Sequence, residues 1–195
     1  MTVKKFFLSA VLLFAAAFCL AANERALIAQ GQKLERARKY TEAVAFYDKA
    51  VRENPGLSVN TQRFFLNRCG YWEKDIRKKM DFFRRACLIK SRNATENYRT
   101  CLWLGGCYRQ FSLSKALGYF QNMHNIKEIH PSLIYQGNME IGKVYEAFGK
   151  KAQALAAYKR ALAAGKSITY KYNYSAAEKG IARMEQLIKA EGSKK

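Results

Sequence analysis

A ring flanked by small residues at fixed steps recurs four times along this chain, and it limits what the chain can fold into. Ala43-x3-Tyr47-x2-Ala50 returns as Lys79-x3-Phe83-x2-Ala86, Ala116-x3-Phe120-x2-Met123 and Ala154-x3-Tyr158-x2-Ala161, with successive offsets of 36, 37 and 38 residues. Steps of four and three place these residues on one face of a helix, where small residues beside a ring admit a close neighbour. A second stretch precedes the clearest copies: Gly31, Leu34 and Ala37 come before Tyr40-Thr41-Glu42-Ala43, as Gly142, Tyr145 and Phe148 come before Gly149-Lys150-Lys151-Ala152. Each unit is therefore expected to be a helix, a short turn and a helix.

The pattern resembles the tetratricopeptide (TPR) family, in which a first-helix Gly and an aromatic residue three positions on precede Ala-x3-aromatic-x2-Ala and a closing Pro. Gly31, Ala43, Tyr47, Ala50 and Pro55 fit one copy, and Gly142, Tyr145, Gly149, Ala154, Tyr158 and Ala161 fit another. The second copy carries Asn67 at the first-helix Gly position and Lys79 at the small position, and the third carries Met123 for the last Ala. The resemblance, over residues 24 to 166, implies an all-α, right-handed superhelical solenoid of about four helix-turn-helix units, at about 24–56, 60–92, 96–128 and 132–166. Stacked units bury surface only against neighbours, so the last one needs a cap that is apolar inside and polar outside. Ser175-x2-Glu178 has the form of a capping box, and Ile181, Met184, Leu187 and Ile188 follow at helical spacing. This predicts a capping helix at about 175–190, a repeat domain over 23–190 and a flexible tail over 191–195.

At the N-terminus, Lys4 and Lys5 precede an apolar run from Phe6 to Leu20 that ends in Ala21-Ala22, the pattern of a secretory signal peptide over residues 1–22. The chain is expected to be exported to the periplasm or envelope of a bacterium. One rival is acylation at Cys19, which bulky Phe18 disfavours; another is an uncleaved anchor, since the run approaches the roughly 20 residues that span a membrane. The chain has 35 Lys+Arg against 15 Asp+Glu, and loss of Lys4 and Lys5 lowers its net charge from +20 to +18. Such a field attracts anionic lipid, acidic glycans and acidic proteins, and export puts nucleic acid out of easy reach. Ten basic residues face three acidic ones between Arg63 and Arg92. Lys74, Arg77, Lys78, Lys79, Arg84 and Arg85 there support an alternative function, docking on anionic lipid or polysaccharide.

Catalytic signatures are missing from the sequence. His124 and His130 are six residues apart with Pro131 following, which neither shares a helix face nor matches metal-ligand spacing, so both read as loop or helix-end residues. There is no phosphate loop, metalloprotease helix or nucleophile elbow; Gly105-Gly106 falls within a predicted helix, and carboxylates are scattered. The expectation is a non-enzymatic protein with no cofactor and no metal. Cys69, Cys87, Cys101 and Cys107 are an even set compatible with disulfides in an oxidising compartment. Antiparallel helices about a turn near Ala94 would level Cys87 with Cys101, and Cys69 and Cys107 hold similar places in adjacent units. The expected pairs are Cys87–Cys101 and Cys69–Cys107, against the alternative of small buried hydrophobes.

The family resemblance further implies that first helices line a concave groove. Aligning the copies puts Arg25, Ile28, Gln32, Glu35 and Arg36 there from the first unit, then Phe64, Arg68, Tyr71 and Trp72, then Tyr98, Tyr108 and Arg109, and finally Gln136, Met139, Lys143 and Glu146. Arg68, Tyr71, Trp72, Tyr98, Tyr108, Arg109 and Lys143 are the candidate partner-binding residues. Rings supply apolar anchors and Arg pairs carboxylates bidentately, a combination suited to an extended or helical acidic protein segment. The competing reading places Phe64, Tyr71 and Trp72 in the inter-helix core. The Lys/Asn carboxylate clamp of the family's chaperone-binding members is not recognisable. Tyr170-Lys171-Tyr172-Asn173-Tyr174 alternates rings and polar residues as single-strand nucleic-acid grooves do, but its place in the link to the last helix predicts packing instead. A third class, small-ligand binding in a transport-associated repeat protein, ranks below both.

Overall fold

The computed structural model describes residues 21–91, 93–170 and 172–193. The expected signal segment lies outside the described residues except for Ala21 and Ala22, which are helical, and so do the possible lipidation at Cys19 and the apolar run of a possible anchor. Among the described residues every regular element is a helix, and none is long and apolar enough to cross a membrane. The chain divides into two compact bodies, Met1–Lys90 and Ser91–Lys195.

The first body contains two helical pairs. Helix α1 covers residues 21–36 and α2 covers Tyr40–Glu53; α3 is Val59–Trp72 and α4 is Ile76–Leu88. Helix α3 starts where Ser58 accepts a hydrogen bond from the Thr61 amide, and Asp75 starts α4 by accepting from the amides of Arg77 and Lys78. Glu24 on α1 reaches the start of α3, accepting from Ser58 Oγ at 2.9 Å and Thr61 Oγ1 at 2.7 Å. The second body contains α5 (Ala94–Tyr108), α6 (Leu113–Asn122), a 3-10 turn (Met123–Asn125), α7 (Pro131–Ala147), α8 (Lys151–Lys166) and α9 (Ser175–Gly192).

The four recurring rings are the centres of the packing: Tyr47, Phe83, Phe120 and Tyr158 are all at most 2% exposed. Each lies against a glycine of the preceding helix. A Cβ added at Gly31 would come within 2.1 Å of Tyr47, at Gly70 within 2.6 Å of Phe83, at Gly105 within 2.4 Å of Phe120 and at Gly142 within 2.5 Å of Tyr158. Helix axes therefore approach closely enough to bury a whole ring, which contributes about 1.5–3 kcal/mol apiece. This corrects two expectations. Gly70, three residues beyond Asn67, meets the second ring, and Gly105 does the same in the third unit. In the second unit Lys79 is half exposed and the neighbouring Met80 is buried.

The ends of the last helix differ from expectation as well. Ser175 is the first residue inside α9 and not its cap, because the Asn173 side chain accepts from the Ser175 amide at 3.0 Å; the predicted capping box does not form. Helix α9 continues to Gly192, into the expected tail. The tyrosine-rich link packs, as expected: Tyr172 meets Tyr135 edge to face at 5.2 Å, and Tyr170 lies over His130.

Candidate functional site

In the first body, α3 presents Arg68, Tyr71 and Trp72 at the steps of three and four that share a helix face. The Arg68 guanidinium lies 5.7 Å from the centre of the Tyr71 ring and 5.4 Å from that of Trp72. Trp72 stacks on Tyr40 at 3.8 Å with ring planes 11° apart, and Tyr71 meets Trp72 edge-on at 4.8 Å. Tyr71 is 48% exposed, whereas Trp72 is half-buried with its indole N–H unpartnered. Sequence reasoning placed these three residues together but missed Tyr40, which enters from the following helix of the preceding pair.

Arg68 is not an open clamp for a partner's carboxylate. Its Nε donates to Glu35 Oε1 at 2.6 Å and its Nη2 to the other oxygen, a bidentate pair supplied by α1 of the same chain. Burial works against the Arg68 charge, but the Glu35 hydrogen bond and carboxylate outweigh it and raise the pKa above the usual arginine range. Burial first, and then Glu35, also pushes the Tyr47 phenol well up, so it stays protonated. Glu35 thus serves as an internal anchor, not as a groove-lining contact, and Arg68 positions the rings beside it.

The second body repeats this arrangement with different residues. Glu146 on α7 accepts from Arg183 Nε and Nη2, both at 2.7 Å, and from the Tyr158 hydroxyl. Arg183 comes from α9, so the capping helix is tied to the last pair through the same Glu, Tyr and Arg set. Arg109 and Lys143 share Glu140, with Lys143 Nζ at 2.6 Å from Oε1 and Arg109 Nη1 on Oε2. Two more candidates leave the groove for the core: Tyr98 is 4% exposed with its hydroxyl over Gly137, and Tyr108 is 8% exposed and stacked on Tyr119. Burial pushes the Tyr98 phenol up to about 12. Burial of these two rings corrects the expectation that they line a groove. The steps Gly31 to Glu35 and Gly142 to Glu146 were the unread signal that a carboxylate one turn past the glycine would anchor the ring-bearing helix.

The basic stretch is less uniform than its composition. Arg63 is 4% exposed and donates to the Ile89 carbonyl at 2.6 Å, and Arg85 pairs with Asp48 at 3.0 Å. Lys74, Arg77 and Lys78 are exposed around the start of α4. His130 accepts from the Ser132 amide at the start of α7, and His124 sits in the 3-10 turn. Cys69 is buried, its sulfur donates to the Val44 carbonyl at 3.5 Å, and burial raises its pKa far above the ordinary thiol range; a Cys69–Cys107 bond is a proposal for an oxidising compartment. Cys107 is buried and Cys87 and Cys101 are half-buried; a Cys87–Cys101 bond would join the two bodies and is a proposal for an oxidising compartment.

No protein-family model matches the sequence, and no curated protein matches it. Solved structures do. One MamA structure (AMB-1) has 14% identity and a TM-score of 0.59 over 86% of this chain and 84% of that chain. Another MamA structure has 16% identity and a TM-score of 0.60 over 85% and 86%. BtubC from P. vanneervenii has 12% identity and a TM-score of 0.63 over 94% and 87%. With its ring-and-glycine helical pairs, the chain has the all-α, TPR-like solenoid fold of these proteins.

Proposed function

We propose that this protein is a non-enzymatic scaffold of the bacterial envelope that holds a protein partner on the exposed edge of the Arg68, Tyr71 and Trp72 cluster. The observation that carries this reading is Tyr71: nearly half exposed, it is braced edge-on by a tryptophan that is itself stacked on Tyr40. Aromatic rings held rigid beside an arginine lose little conformational entropy on contact, and such residues dominate protein interfaces. The TPR-like fold, which presents helix faces along a repeat, supports the same reading. An acidic segment is the partner chemistry that fits a mature charge of +18. Because Arg68, Arg109 and Lys143 are engaged by Glu35 and Glu140, the whole field supplies attraction and the rings supply recognition. Tyr71→Ala is expected to weaken capture of the native partner from envelope extract by at least about tenfold, the scale of an aromatic interface anchor, with the circular dichroism spectrum unchanged. Undiminished capture would remove this face from the function.

Lys74, Arg77 and Lys78, exposed around the start of α4, favour a second reading in which the protein docks on anionic lipid. Binding of the purified chain to phosphatidylglycerol vesicles, steeply weakened by salt and by the triple Ala variant, is its expected signature. Export is part of both readings, and the intact mass of the protein from native envelope, starting at Ala22 or Asn23, is the expected result.

A further inference from the structure

A cavity of about 340 Å³ opens on the second body, lined by Gln121 at the end of α6, His124 in the 3-10 turn, Ile141 and Tyr145 on α7, and Arg160 on α8. Its volume is at the small end of ligand sites, which span roughly 300–1,000 Å³. Four of its five residues bear polar groups, and none is a carboxylate. Arg160 is held from behind: its Nε donates to Asn138 Oδ1 at 3.1 Å, and Asn138, 3% exposed, donates in turn to the Ile134 carbonyl at 2.9 Å. A buried amide is costly unless its hydrogen bonds are made, so this one both satisfies itself and orients the guanidinium. The terminal nitrogens of Arg160 have no partner among the described residues. Gln121 Nε2 donates to the Tyr145 hydroxyl at 3.3 Å, which leaves that hydroxyl's own proton available to a ligand.

We infer that this cavity is a carboxylate-binding site that takes an acidic side chain or chain end of the protein partner. The inference rests on the scaffold reading and deepens it by naming the group recognised away from Tyr71. An arginine fork fits a carboxylate with two parallel hydrogen bonds, the Tyr145 hydroxyl and a His124 N–H add donors, and Ile141 supplies an apolar wall for the stem of a Glu or Asp. Partial burial, and then the Arg160 charge, hold the His124 pKa below the usual histidine value. The Arg160 guanidinium is thus the one charge in the lining and His124 beside it is held towards its neutral form, so a bound anion pairs the guanidinium and favours protonation of the ring. The site differs from the groove of first helices, because His124 and Arg160 come from the 3-10 turn and from a second helix.

His124 and His130 are the two histidines of the chain, and His130 caps α7 outside the cavity, so ring NMR signals of the full mature chain give a probe and an internal control. N-acetyl-triglutamate amide offers side-chain carboxylates, and N-acetyl-triglycine offers a chain end. Saturable movement of the His124 signal with one of them, His130 unmoved, is expected, and the responding peptide identifies the source. Arg160→Gln should weaken that binding at least tenfold, while Arg160→Lys, which keeps the charge and loses the fork, should weaken it less. Movement with inorganic phosphate alone, equal movement of both histidines, or no movement would each overturn the inference. The two readings fail separately. A Tyr71→Ala capture defect without a His124 response removes the carboxylate site and keeps the scaffold face; a His124 response with undiminished Tyr71→Ala capture does the reverse.

Discussion

The first and the last helical pairs solve one packing problem with the same four residue types, a glycine and three side chains, in different settings. In the first, Gly31 lets Tyr47 in, Glu35 waits one turn on, and Arg68 of α3 closes the set; in the last, the same parts are Gly142, Tyr158, Glu146 and Arg183 of α9. Burial separates them. The Arg68 side chain is 28% exposed and its Glu35 partner 10%, whereas Arg183 and Glu146 are 52% and 25% exposed. The first set also carries Tyr71 and Trp72 against its arginine, whereas Arg183 of the second reaches the ring of Tyr158 through their shared Glu146. In both sets a Glu and Arg pair ties one helical pair to the next helix, and only the first builds aromatics onto its arginine, the feature on which the proposed recognition surface rests.

The largest test removes the shared ring. Tyr47→Ala and Tyr158→Ala should each cost about 3–5 kcal/mol in urea denaturation, the range for deleting a buried aromatic side chain. A loss under about 1 kcal/mol at either site would separate the two pairs. Overpacking comes next: Gly31→Ala and Gly142→Ala should each cost about 1–3 kcal/mol, because the added methyl meets a ring that is locked in place.

The pairing arginines sharpen the contrast. Arg68→Ala strands a largely buried Glu35 and should cost about 1–3 kcal/mol, while Arg183→Ala, at a half-exposed pair, should cost about 0–1 kcal/mol. Equal losses would show that burial does not set the difference. Smaller still is the turn within each pair, where Arg38 has φ of 57° and Gly149 has φ of 69°. Both turns end the first helix with the same two bonds: Lys39 N to Leu34 O and Arg38 N to Glu35 O in one, Lys150 N to Tyr145 O and Gly149 N to Glu146 O in the other. Only glycine takes that backbone without strain, so Arg38→Gly should stabilise by up to about 1 kcal/mol and Gly149→Ala should destabilise by a similar amount. Calorimetric Tm values of the two variants would move in opposite directions.

The least effect is on pH. The Arg183 hydrogen bonds, and after them the Tyr158 hydroxyl, hold the Glu146 pKa below the usual carboxylate value against the opposing pull of burial. A depressed folded-state pKa means that this contribution is fully present above the unfolded value of about 4.3 and is lost as pH falls through the folded value. Arg183→Ala should therefore flatten the fall in Tm below about pH 4.5.

Much of the fold could be read from residues because its signals are local. Tyr47 and Tyr158 with their flanking alanines occupy one helix face whatever surrounds them, and a repeat near 37 residues has few architectures open to it. Asn67 failed as the second unit's glycine although the turn within the pair is three residues long in the first and second units alike: Gly70, three positions further along α3, is the residue that faces Phe83. The candidate site was legible only in part. Arg68, Tyr71 and Trp72 share a face of α3 by spacing alone, whereas Tyr98 and Tyr108 look the same in sequence and are buried, since exposure depends on what the neighbouring helices cover.

By itself, the sequence determined the helical pairs, their rings and their strong positive charge, all of which follow from periodicity and composition. Only the tertiary structure decided which charges remain available to a partner. Glu35 meets Arg68 across 33 residues and Glu146 meets Arg183 across 37, separations over which spacing carries no information until the helices have packed and brought the two side chains within reach.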